Sequence, residues 1–296
     1  MNRFKRKMVY GIIGLLGGLL AWAGSALVLE LAPAFPSFLS FSLGTGFVLG
    51  AALGAYFGSL EGITQSVPKK RNSGILMGLL IGGIGGILGF LLGQAFLLYL
   101  GDYFLHSAKD LREWGIPLSK VIGWVVLGIF LGIIEGLRSL SWQKIKVGLL
   151  GGALGGLLGG LALELLPLVS PGLSYSDALG LCLLGLMIGL SFGLVEQQFS
   201  TAVLRMLNGP FKGKEYLLLA KSNLIGENPK AEICLNGYQK VSAKEAKAVI
   251  RKGQVFLQGL KDKPEIKVND QALGTAPLAP EDIIQVGSAK LIFYYR

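Results

Sequence analysis

Long apolar runs separated by short polar connections dominate the sequence from about residue 8 to residue 207. A helix needs about 20 consecutive apolar residues to cross the hydrocarbon core of a bilayer. Six stretches meet this requirement: 8–32, 41–64, 74–100, 120–137, 147–167 and 178–204. With 52% apolar residues over 296 positions, the chain is also too hydrophobic for an ordinary water-soluble domain. This part of the chain is therefore predicted to be an all-α membrane domain with six transmembrane helices.

Basic residues occur in alternate connections between these runs. Lysine and arginine precede the first run and follow the second, the fourth and the sixth, whereas most other connections lack them. Because positive residues mark the cytoplasmic side, both termini are predicted to be cytoplasmic in a plasma or inner membrane. We interpret most of the net charge of +10 in this way, and expect the lipid bilayer, and no nucleic acid, as a partner.

The apolar runs also resemble one another. "GLLGGALGGLLGGLALELLP" at 148–167 is similar to residues 11–33, and "GAYFGSLEG", "GIFLGIIEG" and "GLSFGLVEQ" form a second set. This pattern predicts three repeated helical hairpins that run the same way through the membrane. Glycines at every fourth position place a smooth stripe on one helix face. Such a stripe favours tight helix packing, and the alternative is a glycine-lined conduit.

Five glutamates lie within the predicted spans, and an intramembrane carboxylate is a functional candidate by default. They occupy equivalent repeat positions in two sets: Glu61, Glu135 and Glu196 near the cytoplasmic ends, and Glu30 and Glu164 near the outer ends. Arg138, three residues after Glu135, has the spacing of a helical ion pair. The first set is thus predicted to pair with basic residues, with ion or proton handling and partner contact as the alternatives.

Few residue patterns in the chain suggest chemistry. His106 is the only histidine, which excludes a histidine-based triad or zinc site, and it lies in a predicted amphipathic surface segment at 101–117. Two cysteines, Cys182 and Cys234, argue against a disulfide framework or a cysteine metal site. No nucleotide-binding loop or kinase signature is present. We therefore expect no cofactor, no metal and no enzymatic activity.

Residues 215–296 differ in character from the rest. Short alternating runs such as "QVFLQ", "DIIQV" and "KLIFYY" predict strands, and "NG", "KG" and "VG" predict the turns between them. Many short strands at this spacing are typical of an all-β sandwich. The chain is thus predicted to contain a membrane domain at 1–207, a linker at 208–214 and a soluble sandwich at 215–296.

The sandwich resembles a forkhead-associated (FHA) domain. The points of similarity are "LIG" at 224–226, "VSAKEAKAVI" at 241–250, "VND" at 268–270 and the closing "LAPEDIIQVGSAKLIFYY". The resemblance implies an eleven-stranded sandwich whose loops at one end bind phosphothreonine peptides, and hence a role in protein recognition.

The binding residues of the FHA family are only partly kept. The family's usual arginine after "IG" is Glu227, and its Ser-x-x-His motif reads Ser242-Ala-Lys-Glu245, which includes Lys244. Asn269 alone remains of the second Asn-Gly. Phosphate is bound by arginine and backbone donors, so two carboxylates at such a site would repel it. These departures from the family pattern predict a partner-binding surface, at Glu227, Ser242, Lys244, Glu245 and Asn269, that is independent of phosphothreonine.

Three functions are compatible with these patterns. The leading hypothesis is a membrane scaffold or adaptor that recruits protein partners through its cytoplasmic FHA-like domain. Self-association as a homo-oligomer is compatible with this hypothesis. The alternative is a transporter or channel subunit with a regulatory FHA-like domain. The third is a surviving phosphopeptide reader. Neutralising Glu61, Glu135 and Glu196 would abolish flux only in a transporter.

Overall fold

The computed structural model describes residues 3–103, 111–170, 172–173, 175–260, 266–272 and 274–295. Two compact units are present. One comprises Lys7–Ile63 and Arg71–Val195, and we call it the helical unit. The other comprises Met1–Arg6, Thr64–Lys70 and Glu196–Arg296, and we call it the sandwich unit.

Six long helices are described: α1 (Arg3–Glu30), α2 (Phe38–Gln65), α3 (Pro68–Tyr103), α4 (Ile116–Arg138), α5 (Trp142–Val169) and α6 (Ser176–Phe199). By length and composition, each is able to cross a membrane. Large leucines such as Leu29, Leu76 and Leu98 are exposed on these helices. Exposed apolar surface on this scale is suited to contact with lipid chains. The predicted six-helix part of the fold class is confirmed.

Glycine contacts bring the helices of the helical unit close together. A Cβ atom on Gly54 of α2 would overlap the carbonyl oxygen of Gly78 in α3, and the reverse also holds. The same relation joins Gly132 in α4 to Gly148 in α5. These helices pack backbone to backbone, which favours association where lipid supplies little hydrophobic drive. The threefold hairpin repeat itself stays a prediction.

Several helix boundaries differ from the predicted spans. The sixth helix ends at Phe199 instead of residue 204, because Ala202–Met206 forms a strand that pairs with Leu291–Tyr295. Residues 104–110, which include His106 of the predicted amphipathic segment, lie outside the described part of the chain. The segment continues as a single π-helical turn at Leu111–Gly115, on which Trp114 is exposed.

The sandwich contains two sheets. The strands of the first are β1 (Ala202–Met206), β2 (Glu215–Leu218), β7 (Ile266–Val268), β8 (Gln271–Ala272), β10 (Ile283–Val286) and β11 (Ala289–Tyr295), in the order β2-β1-β11-β10-β7-β8. The second has β3 (Ser222–Gly226), β4 (Ile233–Cys234), β5 (Ala246–Arg251), β6 (Gln254–Gly259) and β9 (Thr275–Pro277), in the order β4-β3-β5-β6-β9. Both sheets bury apolar side chains, among them Leu204, Ile225 and Phe293, in one core. The predicted all-β sandwich is confirmed.

Turn chemistry explains the hairpin between β5 and β6. Arg251 pairs with Gln254, so Lys252 and Gly253 form a two-residue loop. Both have positive φ, 48° and 82°, as a type I′ turn requires. The residues assigned to a linker at 208–214 lie between β1 and β2, which pair with each other, so in the structure they belong to a strand connection. The sandwich therefore begins earlier than residue 215.

A lysine is buried in the sandwich unit. The side chain of Lys214 lies with its Nζ 4.3 Å from the ring centroid of Phe211 and 5.6 Å from that of Tyr216. Lys214 is 7% exposed, and its Nζ makes no hydrogen bond to the described residues. Burial lowers the pKa of Lys214 from 10.5 to about 8, and the positive charges of Lys70 and Arg6 act in the same direction, against an opposing effect of Cys234.

This burial predicts an unusual dependence of stability on pH. Between pH 8 and pH 10 the unfolded state keeps the proton of Lys214 and the folded state loses it, so the stability of the sandwich should rise with pH. Below pH 8 the full burial cost applies. Lys214→Met should therefore raise the free energy of unfolding at pH 7 by about 1–3 kcal/mol and flatten the profile from pH 8 to 10.

Pulse proteolysis of the full chain in urea measures this stability. The quantity followed is the amount of sandwich fragment that remains uncleaved at each urea concentration. Lys244→Met is the matched control, because Lys244 is exposed and its loss should leave the profile unchanged. A Lys214→Met variant that is less stable at pH 7 would show that the contacts with the Phe211 and Tyr216 rings outweigh the burial cost.

Candidate functional site

Two loops meet at one end of the sandwich. Residues 227–232 connect β3 to β4, and residues 235–245 connect β4 to β5; together we call them the loop face. The Glu227 amide donates to the Ser242 carbonyl at 2.9 Å, and the Asn228 amide donates to the Ala243 carbonyl at 3.1 Å. Gly226 permits this approach, because a Cβ at that position would lie 2.4 Å from the Ala243 oxygen. The loop face is thus a single connected surface.

Glu245 supports the loop face from inside. Its side chain is only 2% exposed, and Oε2 accepts a hydrogen bond from the Ser242 amide at 2.8 Å. The Glu245 amide in turn donates to the Ile225 carbonyl at 3.0 Å. The Ser-x-x-Glu segment therefore closes on itself, as a capping box does at the start of a helix. Glu245 has its carboxylate committed to loop structure.

The other predicted residues of this surface are placed differently. Glu227 and Lys244 are exposed on the loop face, and Ser242 is half-buried. Asn269 directly follows β7, at the strand end away from the connection to β6, and it is not brought to the loop face. Its side chain bonds Asp282 Oδ1 at 2.8 Å and the Ile283 amide at 2.9 Å. Asn269 thus holds a turn of the first sheet.

Lys70 is a contact of the loop face that the sequence did not suggest. Its Nζ donates to the Ala231 carbonyl at 2.7 Å and to Gln65 Oε1 at 2.6 Å, and its side chain is buried. Lys70 and Ala231 are 161 positions apart in the chain. No local spacing would have indicated this contact.

Glu61 and Glu135 form an ion-pair cluster in the helical unit. Arg138 bonds the carboxylate of Glu61 and lies 2.9 Å from Glu135 Oε2. Lys144 Nζ lies 3.8 Å from Glu61 and 3.5 Å from Glu135. The side chains are largely buried, with 13% exposure for Arg138 and 10% for Glu61. Two carboxylates face two cations, so the charges of the four side chains balance.

Glu196 has a separate partner in the sandwich unit. Arg6 donates to it through both arms of the guanidinium, with Nε 3.0 Å from Oε2 and Nη2 2.7 Å from Oε1. This bidentate geometry is the strongest form of an arginine–carboxylate contact. The carboxylates predicted near the cytoplasmic helix ends are therefore all ion-paired in the structure.

The two outer glutamates differ from each other. Glu164 accepts a hydrogen bond from Trp124 Nε1 at 2.9 Å and lies 3.1 Å from Lys120 Nζ. Glu30, its predicted counterpart, is exposed near the end of α1. Similar positions in the sequence thus have different surroundings in the structure.

Two sheets of six and five strands, with connected loops at one end, form a sandwich of FHA type, and the described part of the same chain contains six long apolar helices. The FHA-like character predicted for the C-terminal domain is confirmed. Residues 205–296 match the Yop-YscD family model, described as "Inner membrane component of T3SS, cytoplasmic domain". The match is confined to the sandwich unit.

Solved FHA domains are similar to the same part of the chain. The FhaA FHA domain, solved with the intracellular domain of Rv3910, is 25% identical over 31% of this chain and 99% of its own, with a TM-score of 0.29. The FHA domain of the CT664 protein from Chlamydia trachomatis is 21% identical over 33% and 99%, with a TM-score of 0.30. The N-terminal FHA domain of S. cerevisiae Rad53p, bound to a phosphothreonine peptide, is 17% identical over 32% and 94%, with a TM-score of 0.30. A search of curated proteins finds no match.

Proposed function

We propose that this protein is a membrane-anchored scaffold that recruits or assembles protein partners through its FHA-like domain, without requiring phosphothreonine. It acts as a binding protein and not as an enzyme. The similarity of residues 205–296 to the cytoplasmic domain of an inner-membrane T3SS component supports this function and an inner-membrane location. The six apolar helices supply the anchor.

The geometry of the loop face supports partner binding that does not require phosphothreonine. Glu227 is exposed at the position where the FHA resemblance implies an arginine, and Glu245 is buried and bonded to Ser242 at the position of the histidine. A phosphate at this surface would meet carboxylate where it needs donors. Exposed Lys244 and Glu227 instead suit a partner surface of mixed charge.

The loop face also lies in the same unit as the helix ends that bind it. Lys70, in the first turn of α3, donates a hydrogen bond to the carbonyl of Ala231 in loop 227–232. A partner seated on the loop face would therefore be held beside the helix ends of the sandwich unit. Such placement suits a scaffold that assembles partners at a membrane surface.

Ion or proton handling by the glutamates has no comparable support. The comparisons do not favour a transporter or channel subunit. Among the side chains that the structure describes, Glu61, Glu135 and Glu196 are each engaged with a basic residue. Their ion pairs support a packing role, since a buried carboxylate is stabilised by a close cation.

Crosslinking and affinity purification from native membranes test the scaffold. Glu227→Lys and Lys244→Glu should each reduce the yield of a copurifying partner by about tenfold, the size expected for central interface contacts. Lys267→Glu is the matched control, because Lys267 is exposed on β7 and belongs to neither loop of the loop face. Phosphatase treatment of the membranes should leave the yield unchanged. Loss of the partner on phosphatase treatment, or equal yields from all three variants, would contradict the proposal.

A further inference from the structure

A cavity of about 490 Å³ lies among the helices of the helical unit. Each of the six helices contributes at least one residue to its lining. Small-molecule sites in proteins typically have volumes of about 300–1,000 Å³. The cavity therefore has the size of a ligand site, and the recognition role of the sandwich does not explain it.

Aromatic and aliphatic side chains form most of the cavity wall. Phe90 and Trp124 meet edge to face, with ring centroids 5.9 Å apart, and Leu49, Leu163 and Leu181 also line the space. An apolar ligand body would pack against these groups. Aromatic faces also attract a cation held within about 6 Å of the ring centroid.

The polar lining consists mainly of hydrogen-bond acceptors. The hydroxyls of Ser25, Thr45 and Ser119 donate hydrogen bonds to backbone carbonyls of their own helices. Ser42 Oγ accepts a hydrogen bond from Gln94 Nε2. A hydroxyl that donates a hydrogen bond can still accept one through its oxygen lone pairs. These groups can accept from a ligand, so the lining suits a ligand that donates hydrogen bonds.

Carboxylates set the sign of the ligand's charge. Glu164 lines the cavity with 8% side-chain exposure, and Trp124 Nε1 fixes one of its oxygens. Asp177 is a second lining carboxylate. Lys120 is the basic residue among the lining side chains, and its side chain is 57% exposed although Nζ lies 3.1 Å from Glu164. An ion pair with so exposed a partner contributes little to stability, so a ligand ammonium can replace Lys120.

We propose that this cavity binds an amphipathic primary amine, with its alkyl body on the aromatic wall and its ammonium group on Glu164. The ammonium replaces Lys120 at the carboxylate, and its N–H groups donate to the acceptors of the lining. A carboxylate or phosphate head would face Glu164 and Asp177 and bind poorly. The headgroup of an amine-bearing lipid and a water-soluble alkylamine share this chemistry.

Fluorescence of Trp124 tests the site in the purified full chain, in micelles of an uncharged maltoside detergent. Trp22, Trp114 and Trp142 are replaced with phenylalanine so that Trp124 alone reports. Hexylamine should change the emission saturably, whereas hexanoate and hexanol at matched concentrations should bind at least about tenfold more weakly, because they lack the charged donor. Saturable binding of hexanoate at equal affinity, or no saturable change with hexylamine, overturns the proposal.

Two substitutions, made in the variant whose single tryptophan is Trp124, should change hexylamine binding in opposite directions. Glu164→Gln should weaken hexylamine binding by about tenfold, the loss expected for a charged hydrogen bond. Lys120→Gln should tighten binding by about threefold or more, because it removes the competing ammonium, and a gain cannot arise from misfolding. Glu30→Gln, at the repeat position outside the cavity, is the control. Unchanged or weaker binding in Lys120→Gln overturns the proposal.

Competition by lipids then identifies the source of the amine. Phosphatidylethanolamine carries N–H donors, whereas the trimethylammonium of phosphatidylcholine carries none. If phosphatidylethanolamine displaces hexylamine and phosphatidylcholine does not, the site binds a lipid headgroup. Displacement by neither lipid, with hexylamine still bound, assigns it to a water-soluble amine.

Discussion

Replacing Arg138 with methionine should lower the free energy of unfolding of the helical unit by about 3–5 kcal/mol, the cost of breaking a buried ion pair by removing one partner. Arg138 bonds Glu61 and lies 2.9 Å from Glu135, so its removal takes a close cation away from both carboxylates. Lys144 is more distant, at 3.8 and 3.5 Å. Unfolding by a denaturing detergent in mixed micelles, followed by helical circular dichroism, measures the loss.

A rescue variant separates lost charge pairing from lost packing. Adding Glu61→Gln and Glu135→Gln to Arg138→Met removes the stranded charges and should recover most of the stability. Arg112→Met is the control, since Arg112 is exposed and its replacement should change the free energy by no more than about 0.5 kcal/mol. If Arg138→Met behaves like Arg112→Met, the ion-pair cluster contributes nothing to stability.

Gly78→Ala should also destabilise the helical unit, by about 3 kcal/mol, because the added methyl group overlaps the Gly54 carbonyl and forces α2 and α3 apart. A methyl group on Gly101, in the same helix, would meet no atom of the described residues within 4 Å. Alanine has the better helix propensity, so Gly101→Ala should be neutral or stabilising by up to about 1 kcal/mol. The same unfolding titration compares the two variants.

The opposite sign of these two effects makes the comparison strict. Both substitutions add one methyl group to α3, so a general effect of hydrophobicity or propensity would move them together. The double variant Gly54→Ala with Gly78→Ala should lose less than the sum of the single losses, because the first methyl group already separates the helices. Additive losses, or a stabilising Gly78→Ala, would contradict close backbone packing of α2 and α3.

The helices were predictable from the sequence, but their ends were not. The long apolar runs identify six helices because the requirement to span lipid is simple and local. The sixth predicted span includes "STAVL" at 200–204, because this stretch is apolar enough to continue a helix. Residues Ala202–Met206 instead form a strand, because they pair with residues Leu291–Tyr295. That partner strand lies far along the chain, so the residues around 200–206 do not indicate the pairing.

The same distinction separates the contacts that were predicted from those that were missed. Arg138 and Glu135 are three positions apart, so helical spacing predicts their contact. Arg6 and Glu196 are 190 positions apart, and Trp124 and Glu164 are 40 apart, so only the folded chain brings them together. The inward placement of Glu245 was also unpredictable, since the Ser-x-x-Glu spacing does not say which way the side chain points.

Strand β11 gives the sandwich a fixed order of assembly during synthesis. It lies between β1 and β10, so the first sheet stays divided until residues Ala289–Tyr295 have left the ribosome. All six apolar helices are translated before that point, and domains fold as units while the chain grows. Closing the sheet joins its first strand to its last in sequence, a slow step of high contact order. A nascent chain would thus enter the membrane before its sandwich is complete. A chain that stalls before β11 would be inserted in the membrane without a complete FHA-like domain.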